Sequence, residues 1–315
     1  MKRRHSSDDG DSGCQQNLSR INIVPLEIPR RLITRKDFPT DVLKYMKLNA
    51  TPRMSVKLMK ICKYFKHREF PFFVIKLIKH CFGEWTYITL DNITITTNSL
   101  AEIPDNLWIT ERIIVSIEEI DFTAFINKII VSDAESIHFV SQTIPFNKFK
   151  HLCANVKNFN SISSYLKDDD GNDICLDEVL ESLPNLEALY LNLHCPTITS
   201  LERVNRVVSP KLKVFRLDNF LENFNFGMFA DFMLQHPDIK YTINSNQHLT
   251  AEYMLQLQIH VSRIISEWDC QFLPPKIDYF QQSHTSINAL ALLHQQYILS
   301  SSPEIVAPED DVQRE

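Results

Sequence analysis

Three almost evenly spaced prolines, Pro184, Pro210 and Pro237, constrain this 315-residue chain more than any other feature. They stand 26 and 27 residues apart, and each follows a helix-like stretch (176–183, 201–208 and 226–234). Each also opens an apolar, alternating run. The three runs are Leu183-Pro184-Asn185-Leu186-Glu187-Ala188-Leu189-Tyr190-Leu191, Ser209-Pro210-Lys211-Leu212-Lys213-Val214-Phe215-Arg216-Leu217 and His236-Pro237-Asp238-Ile239-Lys240-Tyr241-Thr242-Ile243. Proline lacks the N–H that would continue a helix, so it separates a helix from whatever follows. Alternation of apolar and polar residues after it predicts a half-buried strand. Two shorter copies precede these runs, at Ser136-Ile137-His138-Phe139 and Asn155-Val156-Lys157-Asn158-Phe159.

A strand plus a helix every ~20–29 residues is the arithmetic of leucine-rich repeats, in which one unit cannot bury its apolar face and stacking builds the core. An ordinary α/β sheet with helices of equal length gives the same spacing, so the two architectures stay open at this point. Around the repeats, Trp85-Thr86-Tyr87-Ile88-Thr89-Leu90 and Ile93-Thr94-Ile95-Thr96 are β-branched and predict strands. Residues 251–268, with Met254, Leu257, Val261, Ile264 and Ile265 on one face, predict a capping helix. The further stretch Ile287, Leu290, Leu293 and Ile298 predicts an amphipathic helix that docks on the body or on a partner.

Upstream, residues 37–80 read as a module of three short helices. Asp37-Phe38-Pro39-Thr40-Asp41 places Pro and acidic residues where a first helical turn tolerates them, and Val42, Leu43 and Met46 follow at helical spacing. Thr51-Pro52 reads as a cap and first turn, and Leu58, Ile61, Cys62 and Phe65 then share one stripe. The run from Phe72 to Ile78 is expected to be the third helix. The segment from Asp41 to His80 holds ten basic and two acidic residues, a net of +8 in a chain of net −6, which suits an acidic partner surface. The resulting division is a polar and basic arm over 1–36, the helical module over 37–80, an α/β repeat domain over 81–280, and a C-terminal helix with an acidic tail over 281–315. The arm and the tail have the polar, charged composition of disordered segments.

Composition excludes several function classes. Five glycines, where average usage would give roughly twenty, leave no dinucleotide-binding fingerprint, no phosphate-cradling loop and no G-x-S-x-G elbow. The seven cysteines are scattered, with no C-x-x-C pair and no His at ligand spacing, so free thiols and no structural metal are expected. The N-terminus has no apolar signal core, and the run at 70–75 is far short of the ~20 residues that cross a bilayer. Cytoplasm or nucleus is the expected compartment, with no membrane partner. Asp168-Asp169-Asp170-Gly171-Asn172-Asp173 has its glycine at the wrong place for a calcium loop, and Val179 stands where the bidentate Glu would be, so it reads as an acidic turn. Glu118-Glu119 and His194-Cys195 lack the partners that acid–base or nucleophilic chemistry requires, so neither an enzyme nor a cofactor is expected.

The helical module resembles the F-box family. Phe38-Pro39, Asp41-Val42-Leu43, Leu58 and the ending Cys62-Lys63-Tyr64-Phe65 carry the likeness. Phe38 stands where the family usually has Leu, and Asn49-Ala50-Thr51 where an Asp-Leu-Lys type turn is common. Together with the Trp85 strands, the L-P-N-L and S-P-K-L units and Pro274-Pro275, the layout is similar to nematode-type F-box proteins with divergent leucine-rich repeats. The resemblance implies a non-catalytic substrate receptor that docks on the Skp-type adaptor of a cullin–RING ubiquitin ligase and holds an unknown protein substrate. It implies that Phe38, Pro39, Val42, Leu43 and Met46 contact the adaptor, with Leu58 and Cys62 bracing the helices. An interaction scaffold of the same architecture without ligase attachment is the alternative. Nucleic acid is not an expected partner, because the Lys57, Lys60, Lys63 and Lys66 stripe suits phosphates but its helix offers only Arg53 to read bases. If Leu189, Leu191, Phe215 and Leu217 point inward, then Tyr190, Asn192, Arg216 and Asp218 point outward, where repeat proteins bind their partners.

Overall fold

The computed structural model describes residues 39–50, 54, 57, 58, 72–116, 120–193 and 196–301. Helix α1 (Thr40–Asn49) starts directly after Pro39, carries Asp41 in its first turn, and ends where Ala50 turns extended. Met54, Lys57 and Leu58 are also helical, and Leu58 is buried. Phe38 and Cys62 lie outside the described residues, as do the arm over 1–36 and the acidic tail.

The run expected to form a third helix is a strand instead. Strand β1 (Phe73–Cys81) turns back through Phe82 and Gly83 into β2 (Glu84–Thr89), with Cys81 opposite Glu84. Both turn residues have positive φ, 52° and 77°, which matches the right-handed twist of the two strands. A short apolar run fits a central strand as readily as a buried helix, and here β partners on both sides decide the outcome. The sheet therefore begins at Phe73, inside the segment expected to be all helical.

Beyond β3 (Thr94–Thr97), which pairs with β2, the chain reaches β4 (Leu107–Val115), parallel to β1. Helix α2 (Phe122–Asn127), strand β5 (Ile129–Ser132) beside β4, strand β6 (Ser136–Val140) and strand β7 (Thr143–Pro145) follow. Next come α3 (Phe146–Leu152), β8 (Asn158–Ile162), β9 (Tyr165–Lys167), α4 (Leu176–Glu181) and β10 (Ala188–Asn192). The chain continues through α5 (Leu201–Val207), β11 (Val214–Asp218), α6 (Phe226–Gln235) and β12 (Lys240–Ser245). It closes with α7 (Ala251–Glu267), β13 (Lys276–Tyr279) and α8 (His284–Ser301). The architecture is mixed α/β around one large, mostly parallel sheet. Its strand order β13-β12-β11-β10-β8-β6-β4-β1-β2-β3 advances along the chain from β4 without reversing, while β7 and β9 form a separate parallel pair.

One local device recurs at each end of the strands. At the entry end, the N–H groups of Val156, Leu186, Leu212 and Ile239 return to the carbonyls of Cys153, Leu183, Ser209 and His236. These are turns with Ala154, Pro184, Pro210 and Pro237 in the second position, where proline's fixed φ is already correct. The residue closing each turn is buried. At the exit end, Ser141, Ser163, Leu193 and Asn219 all take positive φ, between 51° and 67°. Their N–H groups donate to the carbonyls of Ile162, Asn192, Asp218 and Asn244, so the ladder runs one residue past each strand before the chain leaves the sheet. Ser200, Asn225 and Thr250 then cap α5, α6 and α7 by accepting a first-turn N–H.

Register converts these strands into rows. Ile113, Ile137, Phe159, Leu189, Phe215 and Tyr241 lie side by side on the buried face, and all are sealed from solvent. A second buried row runs Val115, Phe139, Ser161, Leu191, Leu217, Ile243 and Ile277, and Ser161 alone interrupts its apolar character. The helices cover these rows and are tied to one another by polar pairs. Arg203 of α5 reaches Asp177 and Glu181 of α4 at 2.9 and 2.8 Å. Asn205 of α5 bonds Gln235 at the end of α6, and Arg263 of α7 bonds Asp231 of α6.

Adjacent residues of β11 offer a contrast. Phe215 is fully buried against Phe229, Phe232 and Tyr241, whereas Arg216 is exposed. Phe215→Ala is expected to lower unfolding free energy by about 3–5 kcal/mol in a denaturant titration. Arg216→Ala should lower it by less than about 1 kcal/mol.

Candidate interaction surface

The face of the sheet opposite the buried rows is the candidate surface. Because side chains alternate along a strand, fixing Leu189, Leu191, Phe215 and Leu217 inward sends Tyr190, Asn192, Arg216 and Asp218 to the other side. The structure brings these four together. Tyr190 is opposite Arg216, and Asn192 is opposite Asp218, in strands about 4.8 Å apart. Arg216 is exposed, and the other three are half-buried.

The polar groups are held by one another. Arg216 Nε donates to Asp218 Oδ2 at 2.6 Å, and Asn244 Nδ2 donates to Asp218 Oδ1 at 2.9 Å. Asn219 Nδ2 donates to Asn192 Oδ1 at 3.3 Å, and the Asn246 N–H donates to Asn219 Oδ1 at 3.3 Å. The result is a braced patch with an aromatic ring beside a guanidinium, side-chain types common among interface anchors.

The patch belongs to longer rows that the alternation argument did not reach. Lys79, Ile114, His138 and Asn160 precede Tyr190 in its row, and Thr242 and Lys276 follow Arg216. Asn244 and Asp278 extend the row of Asn192 and Asp218. Counting six residues from Pro184 and Pro210 finds Tyr190 and Arg216, but the same count from Pro237 lands on buried Ile243. The true partner is Thr242, because the last turn joins its strand with one residue fewer. Equivalent strand positions recur every 26 residues (190, 216 and 242) even though the prolines do not. On this face Ile114, Val140 and Ile162 are half-buried, whereas Lys79, Arg112, Arg216, Lys240, Lys276 and Asp278 are exposed.

Of the residues expected to meet an adaptor, Pro39 just before α1 and Val42 on it are exposed and Met46 is half-buried, while Leu58, expected to brace the helices, is buried. Leu43 is helical. Tyr45, not singled out in the sequence, is 67% exposed beside Val42 at 41%. In the acidic turn, Asp168 is occupied by its own loop: it accepts from the Asn172 side chain and from the N–H groups of Asn172 and Asp170, which hold its carboxyl below the usual range. Among the described residues no group of three or more His, Cys, Asp or Glu is placed to hold a metal ion, and no helix is long and apolar enough to cross a membrane. Glu118-Glu119 and His194-Cys195 lie outside the described residues. No protein-family model matches the chain, and no curated protein matches it.

Burial holds three histidines below their ordinary value of 6.5. His138 lies in the outer row, and His236 and His260 lie where helices meet; Asp238 partly offsets the shift of His236, while Arg263 adds to that of His260. A lowered pKa means the unfolded chain binds more protons, so stability rises with pH through this window. Stability should be full above about pH 7.5 and fall as pH drops through 6.5 toward the lower folded values. Denaturant midpoints at pH 7.5, 6.5 and 5.5 check this, and His138→Gln should flatten the dependence.

Proposed function

We propose that the protein is an F-box-type substrate receptor that links a target protein to a Skp–cullin–RING ubiquitin ligase and performs no chemistry itself. In this reading the residues from Pro39 onward form the adaptor-binding module, and the strand–helix succession is an irregular leucine-rich-like repeat body. The observation that carries the reading is the exposure of apolar side chains at the start of and along α1: Pro39 before it, and Val42 and Tyr45 on it, all face solvent. A helix serving only as a cap would turn such groups inward, whereas a docking helix presents them. The +8 charge of the surrounding segment, against an otherwise acidic chain, favours an acidic adaptor surface. The braced outer face then holds the target, with Tyr190, Asn192, Arg216 and Asp218 at its centre.

The test is capture of a purified Skp-type adaptor by the full chain. Val42→Asp, on an exposed position, should weaken capture at least tenfold, about 1.4 kcal/mol, without altering thermal unfolding. A folded parent that fails to bind, or a variant that binds as well as the parent, overturns the ligase assignment and leaves a scaffold.

A further inference from the structure

Ser161 occupies a place that the repeat fills with Val115, Phe139, Leu191, Leu217, Ile243 and Ile277. Its side chain lines a cavity of about 70 Å³ beneath β8 and β10, whose apolar walls are Phe159, Ile174, Val179 and Leu191. A water-sized sphere needs about 10–15 Å³, so the space takes about five to seven heavy atoms. The four carbons of an isobutyl or sec-butyl group fit it, which is the size of the side chain missing from the row. The cavity is not sealed: Asn223 belongs to its lining, is exposed, and makes no hydrogen bond among the described residues. The buried floor is apolar apart from Ser161 and Ser164, and the rim carries Tyr165, Asp173, Thr197 and Asn223, with Asp173 already paired to Lys167; an aliphatic side chain flanked by peptide groups matches that division.

We propose that this cavity is an anchor pocket for one branched aliphatic side chain, Leu, Ile or Val, of a bound target protein. The proposal rests on the reading of the repeat body as a protein-binding unit and adds to it a contact at the strand exits on the helix side of the sheet, away from Tyr190, Asn192, Arg216 and Asp218. The bound side chain completes the interrupted row, and the Asn223 amide bonds a peptide group beside it. Burial of the alkyl group supplies the driving force, the size of the space selects against larger side chains, and the cost of desolvating a charge against the apolar walls selects against charged ones.

The experiment is a titration of the full chain with N-acetyl-leucinamide, followed by methyl NMR of Val179, Leu191 and Ile174. N-acetyl-lysinamide and isobutanol serve as comparison probes. Saturable shifts with the leucine probe, none with the lysine probe, and weaker binding of isobutanol are expected. Ser161→Leu fills the pocket and should abolish the shifts while raising the unfolding temperature; Ser161→Val serves if that variant does not fold. Asn223→Ala should weaken the leucine probe several-fold and leave isobutanol unchanged. Absence of saturable shifts, their persistence in a folded Ser161→Leu variant, or isobutanol binding as tightly as the leucine probe overturns the proposal. None of these readouts involves the adaptor, so failure of the pocket and failure of ligase attachment are separable.

Discussion

Everything in this structure rests on strand register. Parallel strands taken in chain order, each paired with the next, place Ile113, Ile137, Phe159, Leu189, Phe215 and Tyr241 in one unbroken line under the helices. A slip of one residue at any ladder would carry that strand's buried side chains to solvent and bring Tyr190, Arg216 or their neighbours into the core. The backbone guards against such slips at both ends of the strand. Tight turns hold the entry, and left-handed residues extend the ladder at the exit, so register is held by main-chain hydrogen bonds before any side chain is placed.

Polar groups complete the arrangement without competing with it. The helices are joined by pairs such as Arg203 with Asp177, whose carboxylate is wholly buried and would be costly to leave alone. The outer face uses exposed or half-buried pairs, Arg216 with Asp218 above all, which add little stability but hold side chains in place. One layer of polar contact therefore stabilises the stack, and the other shapes a surface.

The prolines and the alternation made β10, β11, β12 and the helices before them legible from the sequence, and also the outward set Tyr190, Asn192, Arg216 and Asp218. Each of these depends only on local rules: a turn residue and a two-residue period. What was not legible depends on partners distant in the chain. Phe73 to Cys81 has no polar alternation, so nothing local separates a helix from a strand flanked by β2 and β4. The outer neighbours His138, Asn160 and Thr242 needed the ladders, and Thr242 needed the one-residue slip after Pro237. Ser161 looks like an unremarkable strand serine until the row shows that every equivalent residue is large and apolar.

The left-handed residues at the strand exits have a consequence for how such a chain changes over generations. Beyond Ser141, Ser163, Leu193 and Asn219 the chain has left the sheet with its last ladder bond already made. Segments inserted or removed there leave the pairing intact, and the intervals between equivalent strand positions indeed vary: 22 residues from His138 to Asn160, 30 from there to Tyr190 and 26 from there to Arg216. Loop length is thereby uncoupled from register, as is the identity of every outward side chain. A lineage built on this backbone can rewrite its outer face while inheriting the same frame.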